Sequence, residues 1–327
     1  MDILGIIDYT VGWAVVAGIY AVFSLGLNVH WGFTGLFNIG IAGFFAVGAY
    51  TSALITTPPP KEELFEDFIF GGNLPELLGV FNLGIDLWFL LAILAAAIAA
   101  GIIAIPIGLL TIRLKEDYLA ITTLGVAEAI RLIFLNEKWL SNGSRGLYNI
   151  PKFLGDWVSP ANYNYLYLVV IFVVLGTLYL IVKRAINSPW GRVLKSIRED
   201  EMTAQANGKN ILSFKLQAFI LGAAIMGIGG ALYAHNIRFI SPITFDPLYA
   251  TFVIWAMLMV GGSGNNKGAI LGAFVVWGIW AGTAFLPGFF SDPSTRLFMI
   301  GVLIVAAILL KPGGIMGEER KISENKP

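Results

Sequence analysis

Glu128 and Arg131 lie three residues apart within an otherwise apolar stretch, Tyr118–Leu135. On a helix that spacing places both on one face. Charges inside an apolar span are costly and either pair with each other or face a polar cavity. Two readings follow: a structural ion pair, or a polar lining for a zwitterionic solute. Thr122 and Thr123 lie about one and a half turns earlier. They line the same path or hydrogen-bond back to helix carbonyls. Asn28 and Asn38 surround a second polar region, with His30, Thr34 and the break Gly32-Phe33-Thr34-Gly35. A small polar solute must exchange its water for protein hydrogen bonds, and unwound backbone at a helix break supplies some of them. The alternative is that the glycines allow close helix packing and the amides join neighbouring helices.

Enzyme chemistry has little to work with. There is no cysteine, which excludes thiolate metal sites and cysteine nucleophiles, and the two histidines, His30 and His235, are far apart. No H-E-x-x-H or G-x-S-x-G occurs. Gly262-Ser263-Gly264-Asn265-Asn266-Lys267-Gly268 resembles a phosphate loop superficially but lacks G-x-x-x-x-G-K-[ST]. ATP hydrolysis is therefore not expected of this chain, and neither a metal nor a cofactor is expected. Lys plus Arg and Asp plus Glu are 21 each, so no basic excess points to nucleic acid.

The elements that must carry these residues are membrane spans. Of 327 residues, 57% are hydrophobic and 13% charged. A soluble domain has roughly twice that charge, so membrane lipid must cover much of the surface. Spans of about 20 apolar residues fit nine stretches: Thr10–His30, Gly35–Thr56, Leu87–Ile112, Tyr118–Leu135, Tyr165–Val182, Leu216–Asn236, Leu248–Gly262, Ala269–Leu286 and Leu297–Leu310. The expected fold is an all-α polytopic transmembrane bundle of about nine spans. The first ten residues carry Asp2 and Asp8 but no Lys or Arg, so they read as the start of an uncleaved first span. With the N-terminus outside, fourteen Lys and Arg residues fall in inside segments and six outside. That bias predicts an outside N-terminus and an inside C-terminus.

Three loops stand out. Pro58–Asp86, with the acidic run Glu62, Glu63, Glu66 and Asp67, and Asn136–Asn164 are long and outside. Each is a connection or a docking surface for an external partner. Lys183–Lys215 is long and inside. Trp190, Val193, Leu194, Ile197 and Met202 recur there at helical spacing, with Arg192, Lys195, Arg198 and Glu199 between them. Gly208 then ends a second short helix. This amphipathic pair is either a docking element or a basic helix lying on anionic lipid. A faint echo also exists between Gly32, Gly35, Gly40, Gly43, Gly48 and Gly261, Gly264, Gly268, Gly272, Gly278. Transporters built from repeats show such matching breaks.

Four stretches in order resemble the branched-chain amino acid permease family of ABC importers, in its LivM-type branch. They are GLNVHWGFTGLFNIGIAGFFAVGAY from Gly26, DYLAITTLGVAEAIRL from Asp117 with GSRGLYNIP from Gly143, SPWGRVLKSIREDEMTAQANGKNILSFKLQAF from Ser188, and GGALYAHNIRFISP from Gly229 leading into MLMVGGSGNNKGAILGA. The resemblance implies that residues 1–327 form a single transmembrane domain of an ABC importer in a bacterial cytoplasmic (inner) membrane. It implies pairing with a homologous second permease subunit, two cytoplasmic ATPase subunits and a periplasmic substrate-binding protein. Residues 183–215 are similar to the family's coupling loop. Gly208 matches that loop's motif glycine, while Met202-Thr203-Ala204 stands where Glu-Ala-Ala is usual. Val193, Ile197, Arg198, Glu199, Ala204 and Gly208 are thus expected to couple to the ATPase. Asn28, Asn38, Thr122, Thr123, Glu128 and Arg131 are the expected substrate path. Asn38-Ile39-Gly40-Ile41 departs from the more usual serine, glycine and histidine, which bears on substrate range. Branched-chain and other neutral amino acids, urea and short amides all fit the family. An ATP-independent carrier is the competing class, and it needs no docking loop.

Overall fold

The computed structural model describes residues 3–57, 87–155, 157–283 and 292–317. The main helices are α1 (Ile3–Leu27), α2 (Ile41–Thr56), α3 (Leu87–Thr111), α4 (Glu116–Asn136), α5 (Tyr163–Asn187), α6 (Pro189–Glu199), α7 (Glu201–Ala206), α8 (Ile211–Ile237), α9 (Pro247–Gly261), α10 (Asn266–Thr283) and α11 (Pro293–Leu310). Five helical segments are long and apolar enough to cross a membrane: Gly5–Gly32, Trp88–Thr111, Glu116–Asn136, Pro160–Asn187 and Ile211–Ile237. Ile41–Thr56, Pro247–Gly261 and Ser294–Ala307 are shorter apolar helices.

Two kinds of helix surface explain the arrangement. α2 and the second half of α1 are buried nearly all round and form the centre. α3 and α5 bury one stripe only. In α3 the stripe is Ala92, Ala96, Ala100 and Ala104, spaced by four. The opposite face exposes Leu94, Ile98 and Ile102, while α5 exposes Val169, Val173 and Leu180. Such apolar surface suits lipid and would be costly in water.

Helices in lipid gain from close backbone approach, which favours small residues. α2, α3 and α8 meet in this way. A β-carbon on Gly227 of α8 would lie 2.6 Å from the Ala96 carbonyl oxygen and 2.7 Å from the Ala100 β-carbon. A β-carbon on Gly48 of α2 would strike the Gly227 backbone. The α9–α10 pair closes similarly, with Gly272 against Gly261 and the Met257 carbonyl.

Several expected boundaries move. α1 begins at Ile3 rather than near Thr10. The second span does not start at Gly35: Gly35 has φ +74° and helix resumes only at Ile41. The amphipathic stretch from Trp190 to Met202 is broken at Asp200, and Met202 is 82% exposed rather than part of the apolar stripe. Of the two long loops expected outside, Pro58–Asp86, with its acidic run, lies outside the described residues. The second folds into short turns. Its two-residue strand β1 (Leu147–Tyr148) pairs antiparallel with β2 (Phe239–Ile240), Leu147 opposite Ile240. This ladder is the one departure from an all-α fold among the described residues.

Candidate functional site

α1 does not end cleanly. Asn28–Gly32 continues it as a π-helical turn, in which the Phe33 amide donates to the Asn28 carbonyl at 3.0 Å. Such wide turns are frequent at functional sites. Glycine is required here: a β-carbon on Gly32 would collide with the Asn28 side chain and the Gly264 backbone nitrogen.

The turn is fixed by buried side chains. Asn28 Nδ2 donates to Asn266 Oδ1 at 3.0 Å, and Asn28 Oδ1 accepts from the Gly264 amide at 2.8 Å. The two glycine-rich breaks that echo one another in sequence are therefore in direct contact. His30 Nε2 lies 2.8 Å from the Phe219 carbonyl, and Nδ1 lies 3.0 Å from Asn38 Nδ2. A carbonyl only accepts and an amide nitrogen only donates. The ring is thus neutral, with its proton on Nε2. Asn38 Oδ1 accepts from the Gly40 amide at 2.8 Å, and its own carbonyl accepts from Trp255 Nε1 at 3.1 Å. Ile39 donates to Thr123 Oγ1 at 3.1 Å and accepts from Thr251 Oγ1 at 3.1 Å. One irregular segment, Gly35–Gly40, is thereby tied to α4 and α9, and through His30 to α8.

Residues 183–215 build the element that packs against this turn. Pro189 opens α6, where its missing amide costs nothing. Gly191, Leu194 and Ile197 are buried, Val193 and Arg198 half-buried, and Glu199 exposed. Three contacts hold the helix down. Trp190 Nε1 donates to Gln217 Oε1 of α8 at 2.8 Å. The Lys195 ammonium sits 5.9 Å from the Phe33 ring centre, within cation–π reach. The Arg198 guanidinium donates to the Gly32 carbonyl, the last residue of the π turn.

α7 follows at a sharp corner. Asp200 caps it, accepting from the Met202 amide at 2.9 Å, the Thr203 amide at 3.1 Å and the Thr203 hydroxyl. The Thr203 hydroxyl and these amides hold the Asp200 carboxyl below the usual aspartate range. Gly208 ends the helix at φ +75°. Its amide donates to Gln205 O at 2.9 Å and that of Lys209 to Ala204 O at 3.3 Å. These are the two bonds of a Schellman cap. Ala204 is buried, while Gly208 and Met202 face solvent.

The six path candidates divide. Asn28, Asn38 and Thr123 are buried, with polar atoms engaged inside the protein. Thr122 is exposed on the opposite side of α4. Arg131 and Glu128 form a bidentate pair, Nε–Oε2 2.8 Å and Nη2–Oε1 2.5 Å, with side chains 19% and 40% exposed. That face also exposes Tyr118, Ile121 and Gly125. Sequence reasoning missed Asn266, Thr251 and Trp255 as partners of the broken segment. Asn266 stood in a turn already noted. Thr251 and Trp255 gave no signal, because their role is to meet backbone distant in sequence.

The chain matches the family described as branched-chain amino acid transport system / permease component over residues 9–308. It is 31% identical over 332 residues to the high-affinity branched-chain amino acid transport system permease protein LivM of Escherichia coli K12, covering 94% of this chain and 70% of that one. It is 22% identical to the high-affinity branched-chain amino acid transport system permease protein LivH of Salmonella typhi, covering 91% of each. It is also 24% identical to the nucleoside ABC transporter permease NupC of Lactococcus lactis, covering 84% of each. No solved structure matches it.

Proposed function

We propose, from the premise that this chain belongs to the branched-chain amino acid transport system permease component family, that it carries branched-chain or other neutral amino acids across the bacterial inner membrane. On this reading it is half of a heterodimeric translocation path completed by a homologous permease. Two cytoplasmic ATPase subunits drive it and a periplasmic binding protein delivers the solute. The nine apolar helices α1–α5 and α8–α11 are the spans, with the N-terminus outside, as the charge bias between loops favours. The whole chain acts as one transmembrane domain.

The observation that carries the mechanism is the hydrogen bond from Arg198 to the Gly32 carbonyl. Residues 183–215 are the coupling loop. Solvent-facing Glu199, Met202 and Gly208 meet the ATPase, while buried Ile197 and Ala204 and half-buried Val193 hold the loop together. When the ATPases close, α6 moves and draws on the π turn through Arg198. Asn28 and Asn38 pass that displacement to α9 and α10, and Ile39 passes it to Thr123 on α4. The solute path runs along the side of α4 that carries Glu128 and Arg131. A paired carboxylate and guanidinium there complement the ammonium and carboxylate of a zwitterion without leaving a net charge in the span.

The test is uptake of labelled leucine, alanine, glutamate and urea by cells carrying the complete system, compared with cells lacking this chain alone. Loss of leucine and alanine uptake supports the assignment. Loss confined to urea changes the solute, and unchanged uptake of all four removes the permease role.

A further inference from the structure

A cavity of about 370 Å³ opens where α3 ends beside α7 and the start of α8, apart from the turn network. Its lining includes Ile112, Arg113, Glu201, Lys209, Leu212 and Lys215. Lys215 Nζ donates to the Glu201 carboxylate at 2.6 Å, and the Lys215 side chain is only 13% exposed. Arg113 and Lys209 are exposed and stand outside the ion pairs formed among the described residues. The lining therefore carries three cations and one carboxylate.

The surroundings say what kind of anion fits. α3 crosses the bilayer, so its end lies at headgroup depth. Leu109 and Leu110 of its last turn are exposed, Leu110 by 77%, and Leu114 follows at 40%. An apolar strip thus leads directly to a cluster of cations. Lys and Arg near an anionic leaflet attract its lipids, and basic pockets between spans accept phosphate headgroups. An inorganic phosphate would satisfy the charge but leave the leucine strip unused.

We propose that this cavity binds the phosphate of an anionic phospholipid, with its acyl chains against Leu109 and Leu110. The headgroup bridges Arg113, after α3, to Lys209, between α7 and α8. A bound lipid would thus anchor the far end of the coupling loop to the membrane edge. The inference rests on α3 crossing the bilayer and not on which solute is carried.

The experiment is native mass spectrometry of the assembled transporter, extracted from membranes holding equal phosphatidylglycerol and phosphatidylcholine. The wild type is expected to retain phosphatidylglycerol preferentially. Arg113→Gln with Lys209→Gln should lower that retention by about tenfold or more, given the attraction each basic residue contributes. Arg113→Lys with Lys209→Arg should keep it. Equal retention of both lipids by the wild type overturns the proposal, and so does undiminished phosphatidylglycerol in the glutamine variant. Displacement of the lipid by millimolar inorganic phosphate would assign the cavity to a free anion and overturn the lipid occupant. Should the glutamine variant fail to assemble, the wild-type preference still decides.

Discussion

The guanidinium of Arg198, on α6, donates to the backbone carbonyl of Gly32, at the end of the π turn that closes α1. The two residues are 166 positions apart. α6 is thereby joined to a break at the end of a buried helix by a charge-assisted hydrogen bond, beside the Lys195 contact with Phe33.

Arg198→Ala should separate ATP hydrolysis from transport. Hydrogen bonds to charged groups contribute about 1.5–3 kcal/mol, so uptake should fall about tenfold or more. The reconstituted complex should keep its ATPase activity and assemble at wild-type yield. Parallel assays of uptake and phosphate release check this, and a matched loss of both activities would speak against transmission through Arg198.

Asn28→Leu should cost stability. It leaves the Gly264 amide and the Asn266 side chain without their partner in a buried site, about 1–3 kcal/mol for each group. Asn28→Asp should be milder, because as the neutral acid, the form such burial favours, it accepts from the Gly264 amide through its carbonyl oxygen and donates its O–H to Asn266 Oδ1. Thermal unfolding in detergent, followed by size exclusion, should rank wild type above Asp above Leu.

Two glycines predict different penalties. Gly208→Ala meets no atom within 4 Å and pays only for its left-handed backbone, roughly 1–2 kcal/mol. Gly32→Ala meets both Asn28 and Gly264 and must displace one of them. Gly208→Ala should therefore assemble and transport at reduced rate, while Gly32→Ala should fail at assembly. Membrane yield measured beside uptake distinguishes the two.

Glu128→Gln should change transport rather than folding. The residue is part-exposed, and its loss leaves Arg131 facing the same α4 surface unpaired. The apparent affinity for amino acid should weaken several-fold at unchanged membrane yield. If the yield falls and the affinity of the remaining protein stays constant, the pair is structural.

The Asp200 cap carries a pH dependence of known sign. Its carboxyl is held below the ordinary aspartate value of about 3.9. Its contribution is therefore complete above that value and is lost as pH falls through the depressed folded pKa. α7 should fray only in strong acid in the wild type, but at neutral pH in Asp200→Ala. Amide exchange at Met202 and Thr203 reports it.

The sequence by itself determined that the chain is helical and lives in a bilayer, because apolar length and missing charge are local properties that no tertiary contact can reverse. It also placed the end of the second short loop helix at Gly208, since a left-handed helix end selects glycine from its immediate backbone. The Glu128–Arg131 pair was legible for the same reason: helical spacing alone brings the two together. Tertiary structure decided the rest. Asn28 and Asn38 carry the polar groups a solute path needs, yet Gly264, Asn266, His30 and Gly40 occupy their hydrogen bonds. Arg198 sits among basic residues that look alike in sequence, and only packing turned it toward Gly32. Whether a polar side chain is free or engaged depends on groups tens to hundreds of residues away. Helical period reports which face a residue occupies, but not what lies opposite that face.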